Sequence, residues 1–146
     1  MATYLSTELG GSANQTAVPT GYRPKASVYG ARVKRVRATI ALAAQATTDV
    51  LQLCTLPPGA VFAYGVMNST VSLGSSTLAL GIAGTTGKYK AAAAFTATDT
   101  PTLFGLAAEA AGAELAAEQV VIGTIAAAAL PASGTLVIDI FYSSPN

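Results

Sequence analysis

The feature that most constrains this chain is a series of short apolar runs, each alternating with polar or small residues and each closed by glycine, proline or serine. Val36, Ala38, Ile40 and Leu42 share one parity while Arg35, Arg37, Thr39 and Ala41 share the other. A period of two sends successive side chains to opposite faces, so this run is a half-buried strand. Residues 50–56 form a second apolar run, ended by Leu56-Pro57-Pro58-Gly59, a strong turn signal. Across 60–68, Phe62, Tyr64 and Val66 oppose Val61, Ala63 and Met67, so both faces of a third strand are partly covered. Residues 77–82 alternate large with small between two loops, Gly74-Ser75-Ser76 and Ala83-Gly84-Thr85-Thr86-Gly87, the latter leading into Lys88-Tyr89-Lys90. Residues 120–125 read as a buried strand and Leu130-Pro131-Ala132-Ser133-Gly134 as a turn. In the last strand Leu136, Ile138, Ile140 and Tyr142 alternate with Val137, Asp139 and Phe141. Short strands with turns about every ten residues predict an all-β fold, an antiparallel β-sandwich or jelly-roll-like domain.

Two segments depart from this pattern. Residues 1–31 hold Gly10-Gly11, Gly21, Gly30, Pro19 and Pro24, few large apolar side chains and no sustained period. Such a segment buries too little apolar surface to order itself alone, so the chain divides into an extended N-terminal arm, 1–31, and a β-sandwich domain, 32–146. Residues 106–118 contain seven alanines and three glutamates. Alanine favours helix, but Gly105 and Gly112 weaken it, and a long loop is the alternative.

Composition narrows the function classes. Of 146 residues, 51% are hydrophobic and 10% charged, with 31 alanines and no histidine or tryptophan. The length suits one domain, and the mean hydropathy of +0.49 argues against a disordered chain. A lone soluble domain normally carries more surface charge, which points to a surface meant to be covered. Without histidine the usual general base, the Ser–His and Cys–His arrangements and the commonest zinc ligand are missing, so an enzyme is not expected. Cys54, the single cysteine, lies in an apolar run and reads as a buried, inert thiol. The first residues lack a basic n-region and an apolar h-region, so no secretory signal is expected. Residues 50–87 are uncharged, yet prolines, glycines and serines interrupt them before any membrane-spanning length is reached. The net charge of +1 is unevenly spread. Residues 1–48 carry Arg23, Lys25, Arg32, Lys34, Arg35 and Arg37 against Glu8, a net +5. Lys88 and Lys90 against Asp49, Asp99, Asp139, Glu109, Glu114 and Glu118 leave the rest at −4.

Each pattern that hints at chemistry has a plainer reading. A phosphate-binding loop ending at Gly87-Lys88 needs glycine at position 82 and Ser or Thr after the lysine; the chain has Ile82 and Tyr89, so the segment reads as a hairpin turn. Glu109, Glu114 and Glu118 could serve acid–base chemistry but read as solvating charges in an alanine-rich stretch. Asn14-Gln15-Thr16 and Asn68-Ser69-Thr70 match a glycosylation sequon by chance. The basic strand and arm, Arg32, Lys34, Arg35 and Arg37 with Arg23, Lys25 and the tyrosines Tyr4, Tyr22 and Tyr29, form the candidate partner-binding set. Their charge could hold phosphates, but a pI near 7.8 is low for a nucleic-acid footprint, and docking on an acidic protein surface is the favoured reading.

The runs Leu56-Pro57-Pro58-Gly59-Ala60-Val61, 71–84 and Lys88-Tyr89-Lys90-Ala91-Ala92-Ala93, with the ending 130–140, resemble small virion proteins of tailed bacteriophages. Those proteins are head-associated decoration, or cement, proteins with β-sandwich cores. The resemblance covers about two-thirds of the chain and excludes the arm. It implies a non-enzymatic protein of the capsid surface, made in the cytoplasm of a bacterial host. It also implies that the chain bridges major capsid subunits together with copies of itself, as a homotrimer, with no cofactor and no membrane. A phage fibre or receptor- and carbohydrate-binding module, and a head–tail connector or tail component, are the alternatives.

Overall fold

The computed structural model describes residues 31–144, so the arm expected over 1–31 lies almost wholly outside the described residues. Among the described residues, eight strands and one short helix follow in order: β1 (Arg32–Ala41), β2 (Val50–Leu56), β3 (Val61–Ser69), β4 (Thr77–Ile82), β5 (Thr85–Ala94), β6 (Thr102–Phe104), α1 (Ala107–Ala110), β7 (Gln119–Ala126) and β8 (Thr135–Ser144). They form two four-stranded antiparallel sheets, β1-β8-β3-β6 and β2-β7-β4-β5. Pairing is nested: β1 with β8, β2 with β7, β3 with β6, and β4 with β5. The all-β sandwich expected from the alternating runs is therefore the observed fold.

The core lies between the sheets and is built by the inward parity of each strand. Leu136, Ile138 and Ile140 of β8, Met67 of β3, Leu78 and Leu80 of β4 and Val121 and Ile125 of β7 are each almost fully buried. Phe62 of one sheet meets Tyr89 of the other with ring centroids 4.7 Å apart, a tilted aromatic contact that ties the layers together. The Tyr89 hydroxyl donates to Gln119 Oε1 at 2.9 Å, so its polar end is satisfied. Cys54 is half-buried against this core, and burial pushes its thiol up to about 11.

One local expectation needs correction, one open alternative is decided, and one strand is added. The loop expected over 83–87 shrinks to the two residues joining β4 to β5, because Gly84 at φ +83° lets the chain reverse at once. β5 then runs through Ala91–Ala94, where pairing with β4 overrides alanine's helical preference. Residues 106–118 are mostly loop. Helix α1 lasts one turn, starts at Leu106 with no side-chain cap, and has no buried residue to extend it by packing. Strand β6 has no counterpart in the sequence reading, since three residues are too few to show a period.

Candidate interaction surface

The cross-strand register lays out the outer face of the first sheet row by row. In one row stand Arg37, Asp139, Val66 and Leu103, and in the next Arg35, Phe141 and Tyr64. Their neighbours of opposite parity, Ala38, Ile138 and Met67, fill the core, so these rows face away from it. Arg37 Nε and Nη2 donate to Asp139 Oδ1 and Oδ2, both at 2.8 Å, a bidentate clamp from the edge strand to the centre of the sheet. Those bonds hold the Asp139 carboxyl below its usual range against the cost of burial, with the Arg35 charge adding to the effect. Tyr64 and Phe141 stack at 4.6 Å with planes 17° apart. Beside them Leu103 is 72% exposed, which is unusual for a leucine in a strand and leaves apolar surface open to a partner.

At the β6 edge this face dips into an open apolar hollow of about 580 Å³, lined by Ala63, Tyr64, Leu103, Phe104, Gly105, Ala107 and Ala110. Gly65 makes room for the Phe104 ring at its wall. A Cβ there would overlap the Phe104 ring, so only glycine lets β6 lie this close to β3.

The outer face of the second sheet carries Val50, Gln52 and Thr55 of β2, Val120, Ile122 and Thr124 of β7, and Ala79 and Gly81 of β4. No residue in this set is charged, and Val50 and Val120 are 58% and 40% exposed. The alanine count is now placed as well: Ala91–Ala94 on β5 and most alanines of 107–117 face solvent. Low surface charge is thus a property of the alanine-rich segments and of the outward residues of β2, β7 and β4, while the first sheet carries Arg35, Arg37 and Asp139 and β5 carries Lys88 and Lys90.

The candidate partner-binding residues separate. Tyr4, Tyr22, Arg23, Lys25 and Tyr29 lie outside the described residues. Arg35 and Arg37 share the outer face, with Arg37 already paired to Asp139. Arg32 and Lys34 have the parity of Val36 and Ala38, at the start of β1 where Arg32 pairs with Ser144. The four cations therefore do not make one stripe. They line a ten-residue edge strand bonded to β8 on one side, where like charges oppose pairing with the same edge of another copy.

The acidic residues have local roles. Glu109 lies 3.7 Å from Lys88 Nζ, which also donates to Gln119 Oε1 at 3.0 Å. Asp49 Oδ2 accepts the Ala46 N–H at 2.7 Å and closes the turn before β2. Among the described residues, no three His, Cys, Asp or Glu side chains come together as a metal site, and no helix is long and apolar enough to cross a membrane. The residues that dominate the surface, Tyr64, Phe141, Leu103 and Phe104, were not singled out from the sequence. The available signal was the two-sided apolar character of 60–68 and the aromatic at 141 on the polar parity of the last strand.

No family model and no curated protein matches this chain. Its fold is similar to a chain in the capsid asymmetric unit of cyanophage Pam1, with TM-score 0.66 and 21% identity over 92% of this chain and 96% of that one. It is similar to a chain in the capsid of Ralstonia phage GP4, with TM-score 0.63 and 21% identity over 89% and 90%. A chain in the acid-stable capsid of Helicobacter pylori bacteriophage KHP30 aligns with TM-score 0.55 and 14% identity over 79% and 95%. At these identities the likeness establishes a shared fold.

Proposed function

We propose that this chain is a non-enzymatic structural protein of a tailed-phage virion: a decoration, or cement, protein of the head. One observation carries the reading. The fold likeness spans 92% of this chain and 96% of a chain in a phage capsid, so the two share a fold over nearly their whole matched length. The nested pairing of β1 with β8 through β4 with β5 is the winding of a jelly roll, and we read the fold as one. The uncharged outward residues of β2, β7 and β4 and the exposed Leu103 suit a protein whose surface is covered in an assembly. In this reading the partners are the major capsid protein and further copies of the chain, as a homotrimer, and residues 1–31 extend onto a neighbour. Many weak contacts repeated over a shell then give firm attachment without any chemistry.

The test is cryo-electron microscopy of the intact particle, with the chain located by symmetry and copy number. Density on the outer head surface in many copies supports the reading. A few copies at the portal vertex would identify a connector or tail component and overturn it. A second experiment uses purified heads stripped of the protein. Adding back a chain lacking residues 1–31 should give lower occupancy than the full chain, and equal occupancy would remove the arm as a clamp.

A carbohydrate-binding fibre module is the second reading, favoured by Tyr64 standing 41% exposed at the rim of the hollow. Apart from the Tyr64 hydroxyl, the side chains lining that hollow are apolar, which leaves few partners for sugar hydroxyls. Glycan-array binding is expected to be absent, and clear binding lost in Tyr64→Ala would promote this reading over the first.

A further inference from the structure

We infer that the hollow at the β6 edge is the docking site of this chain's own segment 22–25, Tyr22-Arg23-Pro24-Lys25, which pins the base of the arm at home and leaves only the residues before it to extend onto a neighbour. The inference goes beyond the virion assignment and does not need it. Three observations carry it: the chemistry of the hollow, the reach of the preceding chain, and charge.

The hollow brings Tyr64 and Leu103 together with Phe104, Ala107 and Ala110, and its volume of about 580 Å³ has room for an aromatic ring, with no charged side chain in its lining. Burying a ring there removes apolar surface from water on both partners. Among residues 22–31 the large aromatics are Tyr22 and Tyr29. Tyr29 is three residues from Arg32, whereas Tyr22 has more chain to cross with.

Reach then selects the segment. The chain enters the first sheet at Arg32, on β1, and the hollow lies beyond β8 and β3, three strand spacings away at roughly 14 Å. Lys25 is seven residues before Arg32, and an extended chain of that length spans up to about 23 Å. So short a tether holds the segment at an effective concentration in the millimolar range, which favours a chain's own hollow over that of another copy.

Charge agrees. Arg23 and Lys25 flank the anchor and the segment has no acid. The stretch that begins in α1 and continues to β7 carries Glu109, Glu114 and Glu118 and no cation. Its return path is bonded to the start of β3, Gly59 N–H to Leu115 O and Leu115 N–H to Ala60 O, which keeps it at the hollow's end of the sheet.

Disulfide trapping in the full chain tests this. In a Cys54→Ser background, Gly21→Cys with Ala107→Cys should close an intramolecular bond at monomer mass, at least ten-fold faster than Gly21→Cys with Gln52→Cys on the other sheet. Adding Tyr22→Ala should remove that difference. Equal rates for the two pairs, or a bond formed only between chains, would overturn the proposal. An independent readout uses the absence of tryptophan: Leu103→Trp should emit further to the blue in the full chain than with Tyr22→Ala. Identical spectra would count against docking.

Discussion

Arg37 and Asp139 tie the edge strand to the centre of its sheet, and their bonds set a pH dependence. The Asp139 carboxyl is held below its ordinary value of 3.8 by hydrogen bonds from Arg37, so the folded state binds its proton less readily than the unfolded state. Its contribution to stability is therefore complete above about pH 4 and is lost as pH falls through the folded value. Asp139→Asn should lower the melting temperature at neutral pH, and that deficit should shrink on acidification. A deficit independent of pH would show that the clamp is not the cause. The alkaline limb has the opposite sign. Burial raises Cys54 from 9.0 to about 11 and Tyr89 from 10.0 to about 12, so the unfolded chain loses these protons first. Stability should fall as pH rises above 9, and Cys54→Ala should remove the part of that fall between 9 and 11, as followed by urea titration. The same thiol should react slowly with maleimide in the native protein and fast in denaturant.

Strands and turns have their own weak points. Gly65 accommodates the Phe104 ring, so Gly65→Ala forces β6 away from β3. A cost of about 1–3 kcal/mol is expected, with part restored by Phe104→Ala, measured by a denaturant double-mutant cycle. Leu80 sits in the middle of β4 with no exposure, so Leu80→Ala should cost about 2–5 kcal/mol. Two alanines, Ala44 and Ala127, hold φ values of 55° and 66°, the left-handed region that disfavours any residue with a Cβ. Ala127→Gly should raise stability by up to about 1 kcal/mol, and a loss on that substitution would mean the Ala127 methyl packs usefully. These positions show why alanine is so common here. It serves as turn residue, exposed edge and loop, wherever a small neutral side chain suffices.

For the molecule as a whole, the unguarded surface matters most. The edge strand β1 bears four cations, whereas the outward residues of β2, β7 and β4 have none, so self-pairing at β1 is disfavoured while that apolar face stays open. Sedimentation of the full chain should show association that persists in high salt, because the exposed Val50 and Val120 supply an apolar contribution that salt does not screen. Val50→Lys together with Val120→Lys should weaken it at least ten-fold. Loss of association in salt alone would instead assign it to the cations of residues 1–31 and of β1.

Sequence by itself determined the strands with a clear period of two. The run from Val36 to Leu42, the apolar stretch before Pro57 and the alternation of Leu136, Ile138 and Ile140 all declare which side is buried, because one-faced burial writes itself into local order. It also determined the all-β class and the scarcity of charge. What it left open was decided by tertiary contact. β6 exists because Gly65 admits the Phe104 ring, Ala91–Ala94 is strand because β4 lies alongside, and 106–118 is loop because nothing buries α1. The basic strand was legible as charge, and its period of two already set Arg35 and Arg37 opposite Val36, but only the register matched Arg37 with Asp139, 102 residues away. The stacked Tyr64 and Phe141 belong to strands far apart in the chain, and partners at that separation leave no periodic trace in sequence.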